Sequence, residues 1–385
     1  MDTLRRIAQQ RAVTRRDFLR SVAIAGTASQ LLGFAPLRAA ALPQRQKTVV
    51  VTFGGGARDE ETFAPEGQEN IPHLMNELIP QATFFTQVVN RGILGHYVAT
   101  ASLATGVYEG FDNFADVAPK NPTVFEYFRK GLNRPANDAW VIAPSNGFNR
   151  IGQSDGSLIA PGLGAQVILP KHLLASALGK SYIASPSMNF LLQDNYEDLL
   201  FTPPSVEGNL QTAKLTEMLH LSVDDFARHA QTLSSADELS VYVMRQVMKQ
   251  FAPSLVWITL HDMDIAHTGA YSLYLEGIRR TDRLCGEIWQ MIESDPEYKG
   301  RTTMLVLPDF GRDSDFSASG NGFQHHRTGD PLSRTTWMMA MGPHIRQNVT
   351  VDRPLDSLDL VPTLGAMMNF VTPFAKGKPI TEVLG

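Results

Sequence analysis

Aspartate and histidine residues follow two apolar runs of this chain at spacings that suit a metal ion. Asp264 and His267 stand three residues apart in HDMDIAHTG, directly after the run SLVWITL, and Asp262 is a near alternative to Asp264. Asp309 directly follows the run TTMLVLP. Histidine nitrogen and carboxylate oxygen are ligands that Zn²⁺ takes in proteins, and a catalytic site needs about three of them beside an open position. These segments therefore predict a divalent metal site.

A later segment, GNGFQHHRTGD, supplies a further histidine. His325 and His326 are adjacent there, and neighbouring side chains do not easily both point inward, so we expect at most one of them to be a ligand. The predicted metal ligands are Asp264, His267, Asp309 and His326. His96 is an additional candidate to complete the set. The predicted cofactor is a divalent ion, with zinc first and calcium or manganese as alternatives.

Arg312 lies close to Asp309 and has two interpretations. A carboxylate directly after an apolar strand is costly to bury unpaired, which favours a metal ion, Arg312 or a helix cap as the partner of Asp309. Arg312 can pair structurally with Asp313 or Asp315, or it can bind an anionic substrate through two parallel hydrogen bonds. We weigh the two roles equally and keep Arg312 as a candidate catalytic residue.

Strands and helices must position these residues, and both are visible in the sequence pattern. Short β-branched and aromatic runs alternate with helical patterns, which is typical of an α/β fold with a mainly parallel sheet between helices. The predicted strands are KTVVVTF from Lys47, ATFFTQVV from Ala82, AWVIAP from Ala139, SLVWITL from Ser254, TTMLVLP from Thr302 and TTWMMAMG from Thr335. In such a sheet, ligands bind beyond the carboxyl ends of the strands, where the acids and histidines stand.

The helical patterns are longer and amphipathic. They are IPHLMNELI, TVFEYFRKGL, DDFARHAQTL, ELSVYVMRQVMKQF and YSLYLEGIRRTDRLCGEIWQMIES. The region from Gly147 to Pro204 has no clear periodicity and predicts loops and short elements over one face of the sheet. The glycines Gly54 to Gly56, after the first strand, predict a tight turn where the backbone approaches another segment closely.

Residues 1–41 have the pattern of a twin-arginine export signal. The run TRRDFLR is followed by the apolar segment SVAIAGTASQLLGFAPL and by three alanines. Gly26, Gly33 and Pro36 interrupt this short apolar segment, which argues against a stable membrane anchor. We therefore expect passage through the twin-arginine translocase, a single α/β domain over residues 42–385, and a periplasmic or extracellular location.

Charge and cysteine content exclude other classes. The chain has a formal net charge of −5, and residues 1–41 contain seven Arg and two Asp, so the remainder is near −10. Such an acidic protein is a poor partner for nucleic acid or for an anionic membrane. Cys285 is the single cysteine and cannot form an intramolecular disulfide; its helical surroundings predict a small core residue.

Together these segments resemble the alkaline phosphatase and sulfatase superfamily. The resemblance is carried by DMDIAHTG, VLPDFGRD, HHRTGD, MMAMGPHI and SLDLVPTLGAMMNF, and near the start by ENIPHLMNEL and ASLATG. It spans most of residues 47–385. The chain also looks like exported sulfatase relatives that carry Gly-Gly after the first strand. The resemblance implies an alkaline phosphatase-like sheet and metal-dependent cleavage of a phosphate or sulfate ester.

The residue types at the resembling positions depart from the superfamily in two places. In the sulfatases the nucleophile stands nine residues before the Thr of a Thr-Gly pair, and counting back from Thr105 gives His96. The resemblance thus places a histidine where Ser, Thr or formylglycine is usual, and His96 becomes a candidate general base or nucleophile. Phe310 follows Asp309 where the superfamily has an Asp-His pair, so one metal position is kept and its neighbour is damaged.

The sequence therefore predicts an exported, metal-dependent hydrolase of a small anionic phosphate or sulfate ester. The competing hypothesis is a non-catalytic protein that keeps the fold to bind an anionic ligand or a partner protein. A third possibility is transfer of a sugar or lipid phosphate to an acceptor other than water.

Overall fold

A computed structural model describes residues 46–115, 117–178, 217–219, 222–317 and 319–384. The predicted export signal over residues 1–41 lies outside the described residues. Residues 179–204, the second part of the stretch 147–204, also lie outside them. Eight strands form one sheet in the order β4-β3-β5-β1-β6-β7-β2-β8. The strands are β1 (Lys47–Phe53), β2 (Ala82–Val89), β3 (Ala139–Ile142), β4 (Gln166–Ile168), β5 (Leu255–Leu260), β6 (Thr302–Leu307), β7 (Thr335–Met341) and β8 (Val349–Asp356).

The sheet is mostly parallel, as the sequence predicted. β1 lies near its centre and pairs in parallel with β5 and with β6, so that Thr48 faces Leu255 on one side and Thr303 on the other. β7 runs antiparallel to both of its neighbours, β6 and β2. The predicted α/β fold class is thereby confirmed, with one reversed strand inside the sheet.

The described residues also form eight α-helices. They are α1 (His96–Thr105), α2 (Val124–Gly131), α3 (Pro170–Leu178), α4 (Val223–Ala230), α5 (Ala236–Phe251), α6 (Tyr271–Ser294), α7 (Pro331–Arg334) and α8 (Leu360–Met368). A π-helical turn covers Leu74–Leu78. Short 3₁₀ turns cover Asp59–Glu61, Gln68–Asn70, Ile79–Gln81, Ala136–Asp138, Asn146–Gly152, Asp262–Thr268, Gly322–Gln324, Ser357–Asp359 and Thr381–Val383.

Helices cover both faces of the sheet, and β1 shows how. Successive side chains of a strand point to opposite faces. Val49 and Val51 join the apolar cluster that contains Ile288 of α6, whereas Val50 joins the cluster that contains Phe125 of α2. All seven residues of β1 are buried, which explains its nearly continuous apolar sequence.

Within the part of the chain that the structure describes, no helix combines the length and the apolar character needed to cross a bilayer. α6, the longest at 24 residues, is amphipathic and packs against the sheet and α5.

The order of the strands brings three chain segments together beyond the sheet. β5, β1 and β6 are neighbours and parallel, so their carboxyl ends lie side by side. These ends lead into the 3₁₀ turn Asp262–Thr268, the glycines at 54–56 and Asp309 respectively. The region beyond these three strand ends is therefore where a site is expected.

Candidate metal and catalytic site

Four side chains converge beyond the carboxyl end of the sheet. One potential ligand atom each from His96, Asp264, His267 and His326 lies within 4.8 Å of the others. The structure thus gathers three of the four predicted ligands and adds His96. Of the alternatives, Asp262 points away and forms an ion pair with Arg280 at 3.0 Å. His325 is not part of the group.

The distances inside this four-residue group are short. His267 Nε2 lies 2.8 Å from His326 Nε2 and 3.3 Å from Asp264 Oδ1. His96 Nε2 lies 3.0 Å from the same carboxylate oxygen. Three imidazole nitrogens and one carboxylate oxygen therefore lie close together, and both types of atom are ligands that zinc takes in proteins.

Unsatisfied polar atoms indicate that the group is built for a cation. Among the described residues, His96 Nε2 and Asp264 Oδ2 are buried and have no hydrogen-bond partner. The 3.0 Å contact of His96 Nε2 with Asp264 brings opposite charges together without hydrogen-bond geometry. Unpaired buried polar atoms are rare in folded proteins and require an explanation. A divalent ion held by Asp264, together with a water molecule that it binds, would give both atoms a partner, so the residues fit the cofactor that the sequence predicts.

His96 is placed by the start of α1. It is the first residue of the helix, after Gly95, and this is the position where the sequence resemblance put the nucleophile. Asn113, from the loop after the helix, caps this terminus because its Oδ1 accepts hydrogen bonds from the N–H groups of Tyr97 at 3.0 Å and Val98 at 3.4 Å. The cap orients the first turn of α1, and with it the imidazole of His96.

The 3₁₀ turn Asp262–Thr268 carries two members of the group and is anchored from behind. Asp237, in the first turn of α5, is fully buried and accepts hydrogen bonds from the N–H groups of His261 and Asp262 at 2.8 Å. Spacing of three residues along this tight turn brings Asp264 and His267 to the same side. The turn therefore presents both side chains from a backbone that is held in place.

His326 reaches the group from the loop after β6. Its Nδ1 donates to the carbonyl oxygen of Leu94 at 2.8 Å. A histidine that donates one ring N–H to a carbonyl is fixed in the tautomer that leaves its other nitrogen free for a metal ion. This contact orients His326 Nε2 toward His267.

Asp309 lies behind His96 and outside the four-residue group. Its Oδ2 is 2.5 Å from His96 Nδ1, and its Oδ1 accepts a hydrogen bond from the N–H of Phe310 at 3.1 Å. The Phe310 ring stacks on the His96 imidazole with the centroids 4.5 Å apart. Asp309 therefore contacts the ring nitrogen of His96 that faces away from Asp264. This position suits orientation of His96 rather than metal binding.

Arg312 is fully buried. Its guanidinium donates to Asp264 Oδ1 at 2.8 Å, to the Gly56 carbonyl at 3.2 Å and to the Phe323 carbonyl at 3.0 Å. Its carboxylate partner is thus Asp264, and not Asp313 or Asp315, which were the candidates for a structural pair; a full set of protein partners also argues against the alternative role of binding an anionic substrate. With all three nitrogens engaged and 1 % of its surface exposed, Arg312 holds Asp264 and does not line the cavity described below.

Charged groups in the site raise the pKa of one histidine and help to lower the pKa of two others. Burial lowers the pKa of His96, but the carboxylates of Asp264 and Asp309 outweigh it and raise the pKa to about 9. Burial and the positive charges of Arg312 and His96 lower the pKa of His267 to about 3 and that of His326 to about 2. The latter two are thus neutral at physiological pH, and neutral imidazole is the form that binds a metal ion.

A cavity of about 100 Å³ opens beside the four-residue group. Its walls are formed by His96, Tyr97, Asn113, Phe114, His261, His267 and His326. His261 was not singled out from the sequence, although it is the first residue after β5 and therefore carries the same positional signal as Asp309. Its Nε2 lies 3.5 Å from Asp264 Oδ2, and its ring meets the His96 ring edge-on at 4.7 Å.

Solved structures share this arrangement of strands and helices. The alkaline phosphatase PafA superposes with a TM-score of 0.55 at 12 % identity, over 90 % of this chain and 100 % of its own. This chain has the alkaline phosphatase fold. The phosphonate monoester hydrolase SpPMH from Silicibacter pomeroyi matches with a TM-score of 0.52 at 12 % identity, over 89 % of this chain and 76 % of its own. The lipoteichoic acid synthase LtaP from Listeria monocytogenes matches with a TM-score of 0.51 at 12 % identity, over 89 % and 76 %.

Sequence comparison adds nothing to this. No family model matches the sequence of this alkaline phosphatase-like chain, and no curated protein does. At 12 % identity the structural likeness concerns the fold alone. The fold therefore does not by itself identify the activity.

Proposed function

We propose that this protein is a metal-dependent hydrolase of a small phosphate or sulfate ester. The observation that carries the proposal is the convergence of three histidines and one aspartate within 4.8 Å at the carboxyl end of the sheet, beside a cavity. The neighbours in fold include proteins named as a phosphatase and as a phosphonate monoester hydrolase, which is consistent with ester cleavage.

We assign Asp264, His267 and His326 as the metal ligands and zinc as the ion. Three protein ligands leave an open coordination position, as catalytic zinc sites do. A bound divalent ion would lower the pKa of a water molecule and neutralise negative charge on the ester oxygens. Arg312 keeps the carboxylate of Asp264 in place through its 2.8 Å hydrogen bond.

His96 acts as the general base in this proposal. Its Nδ1 donates to Asp309, and its Nε2 faces the other three members of the group. In the site without an ion the carboxylates raise the pKa of His96 to about 9 and keep the ring protonated. A divalent ion bound to Asp264 would oppose that protonation by its positive charge and leave the Nε2 lone pair free. Nε2 takes the proton of the attacking water, and the Asp309 carboxylate stabilises the imidazolium that results. Asn113 lies at the same cavity, and because its Oδ1 is engaged by the helix cap, its amide nitrogen is the group available to a substrate oxygen.

The first experiment measures metal content. Native protein purified without a histidine tag is expected to contain about one equivalent of zinc, manganese or calcium, and the double variant His267→Ala/His326→Ala is expected to contain none. The matched control is His73→Ala/His229→Ala, which removes two histidines outside the four-residue group and should keep the metal. Native protein without metal would overturn the proposal.

A second candidate, a non-catalytic binding protein, is favoured by one feature of the site. The four-residue group supplies four potential ligands, and four protein ligands close a tetrahedral zinc site. The variant His96→Ala separates the two functions. If His96 is the base, the variant keeps the ion and loses turnover of 4-nitrophenyl phosphate, bis(4-nitrophenyl) phosphate or 4-nitrophenyl sulfate. If the variant loses the ion and native protein cleaves none of these esters, the binding function stands.

We extend the proposal to export. The arginine pair in TRRDFLR, the apolar segment after it and the alanines near residue 41 support passage through the twin-arginine translocase and work in the periplasm or outside the cell. Replacement of Arg15 and Arg16 by Lys should leave the protein in the cytoplasm, as measured by cell fractionation. Unchanged export of that variant would contradict this route.

A further inference from the structure

We propose that the organic group of the ester is aromatic and that it binds against Tyr97 and Phe114 at the mouth of the cavity. This inference rests on the proposed function, since it names the substrate class for the same site. It follows from the way the cavity walls are divided, from the rigidity of Tyr97 and from the exposure of Phe114.

The described walls of the cavity divide into two chemically different parts. One part is the histidine cluster that holds the reacting end of the substrate. The other part is formed by Tyr97, Asn113 and Phe114. The two aromatic rings stand edge to face with their centroids 6.3 Å apart. A substrate whose ester group meets the histidines must therefore direct its organic group toward these rings.

Tyr97 is a rigid wall. It directly follows His96 in α1, so the first turn of the helix fixes its position relative to the reacting end. Its ring is 3 % exposed and packs edge-on against Phe148 with the centroids 4.9 Å apart. The guanidinium carbon of Arg150 lies 5.7 Å from the same ring. Neighbours on several sides thus hold Tyr97 in one orientation.

Phe114 is the opposite case, because 65 % of its surface is exposed although its ring lines the cavity. Its backbone is held on both sides. Asn113 caps α1 through its side chain and accepts a hydrogen bond from Arg150 Nη1 on its carbonyl at 3.2 Å, and the Phe114 N–H donates to Asp112 Oδ1 at 2.8 Å. Single exposed apolar rings are common on protein surfaces. Phe114 differs from these because its held backbone keeps the ring at the mouth of the cavity, edge-on to Tyr97.

The size of the cavity indicates where the ring of the substrate lies. At about 100 Å³ the cavity is smaller than the apolar cavity of about 150 Å³ that admits a benzene molecule in an engineered protein. The anionic group and the ion occupy the inner end, so the organic group lies at the mouth, over Phe114. Aromatic rings pair at centroid distances of roughly 4.5 to 7 Å with a directional preference that an aliphatic group lacks.

The test compares ligands that differ only in flatness. Phenylphosphonate and cyclohexylphosphonate have the same number of carbon atoms, and they carry the same charge at an alkaline pH where both are dianions. The matching sulfonates are both monoanions. Binding is measured by calorimetry on the metal-loaded protein. In whichever pair binds, the phosphonates or the sulfonates, the phenyl compound should bind roughly fivefold to tenfold more tightly than the cyclohexyl compound. Equal affinities within that pair, or binding of neither pair, would overturn the inference.

Variants locate the preference. Phe114→Ala should bind both members of the pair alike, and Tyr97→Leu should show the same loss. The control is Phe316→Ala, which removes a fully exposed ring that does not line the cavity and should keep the preference. A preference that survives in Phe114→Ala would contradict the assignment. Because binding is measured without turnover, failure of the hydrolase proposal, seen as no ester cleavage by native protein, is distinguishable from failure of this inference.

Discussion

His96 uses both ring nitrogens, and this is what connects the parts of the site. Its Nδ1 faces Asp309 at 2.5 Å, and its Nε2 faces Asp264 at 3.0 Å. The Phe310 ring covers one face of the imidazole. A histidine held in this way cannot rotate without breaking contacts on two sides, so its orientation depends on Asp309 as much as on its own helix.

Asp309→Asn tests that dependence. The amide is nearly isosteric but carries no charge, so it cannot stabilise an imidazolium and it permits the wrong tautomer of His96. We expect the turnover rate to fall roughly 10- to 100-fold while about one equivalent of metal remains bound. The measurement is kcat and KM for the best 4-nitrophenyl ester, beside metal analysis. Loss of the ion in Asp309→Asn would instead return Asp309 to the metal ligands that the sequence predicted.

The candidate site could be predicted in part at the residue scale. Asp264, His267 and His326 follow from residue type and from position after a strand, and the structure brings them together. The partner of Arg312 could not be predicted, because sequence neighbours such as Asp313 compete with a carboxylate from another strand end and only the packing decides. The position of Asp309 behind His96 was hidden for the same reason.

The glycine turn after β1 shows how elements create the space for the site. A Cβ on Gly54 would lie 2.6 Å from the Leu260 carbonyl oxygen, and one on Gly56 would lie 2.8 Å from the Phe310 carbonyl oxygen. Gly55 has a φ of +91°, and its Cβ would lie 2.9 Å from the backbone nitrogen of Asp264. The predicted close approach is therefore present, and it lets the ends of β5, β1 and β6 meet.

Gly55→Ala should damage the metal site from a distance. The methyl group would push on the backbone of Asp264 and would also be strained at positive φ, so we expect a loss of about 1–3 kcal/mol in the free energy of unfolding together with weaker metal binding. Gly300→Ala is the control, since Gly300 has a φ of +70° with no atom within 4 Å of the added carbon. The control should lose stability through strain alone and keep its metal. Equal metal content in both variants would contradict the expectation.

A second element-scale prediction concerns pH and Asp282 of α6. This buried carboxylate accepts hydrogen bonds from the N–H groups of His73 at 2.9 Å and Leu74 at 2.7 Å. Burial raises its pKa from 3.8 to about 6, although the hydrogen bonds act in the other direction. The folded state therefore binds the proton more tightly than the unfolded state, and this group stabilises the fold as pH falls from above 6 toward 4.

The difference amounts to at most about 3 kcal/mol, which is 1.36 kcal/mol for each unit of pKa shift. Asp282→Asn removes this titration. We expect the stability of native protein relative to the variant to rise as pH falls across that interval, measured by urea unfolding at several pH values. The control is Asp295→Asn, at a more exposed aspartate. A difference independent of pH would refute the raised pKa.

Strand prediction from the sequence succeeded where strands are buried and failed at both edges of the sheet. Each of the six predicted runs contains one of the strands β1, β2, β3, β5, β6 and β7. β4 has three residues, and β8 carries the charged and proline-containing sequence VTVDRPLD with much of its surface exposed. Strands at the edges of natural sheets are often short, charged or interrupted by proline. Such strands lack the apolar pattern that identifies a buried strand.

At the scale of the whole molecule, the proposed ion connects distant parts of the chain. His96, Asp264 and His326 belong to segments far apart in sequence, so the unfolded chain does not hold the site together. A ligand that binds only the folded state stabilises it, by about 4 kcal/mol when its free concentration is a thousand times its dissociation constant. A chelator should therefore lower the melting temperature of native protein measurably.

The double variant His267→Ala/His326→Ala provides the control for this effect. Its melting temperature should not respond to the chelator, and re-addition of zinc should restore only the native protein. A chelator that leaves the native melting temperature unchanged would show that no stabilising ion is bound. The same measurement, repeated with manganese and calcium, identifies the ion by the largest recovery.

The positions of the four members of the group along the chain also set a constraint during protein synthesis. The ribosome produces His96 early, Asp264 and His267 much later, and His326 only after β6 is complete. A nascent chain that ends before His326 contains an incomplete group, whatever part of the sheet it has already formed. Loading with the proposed ion would therefore follow elongation past residue 326, and a truncated translation product that lacks His326 would hold it more weakly than the finished protein.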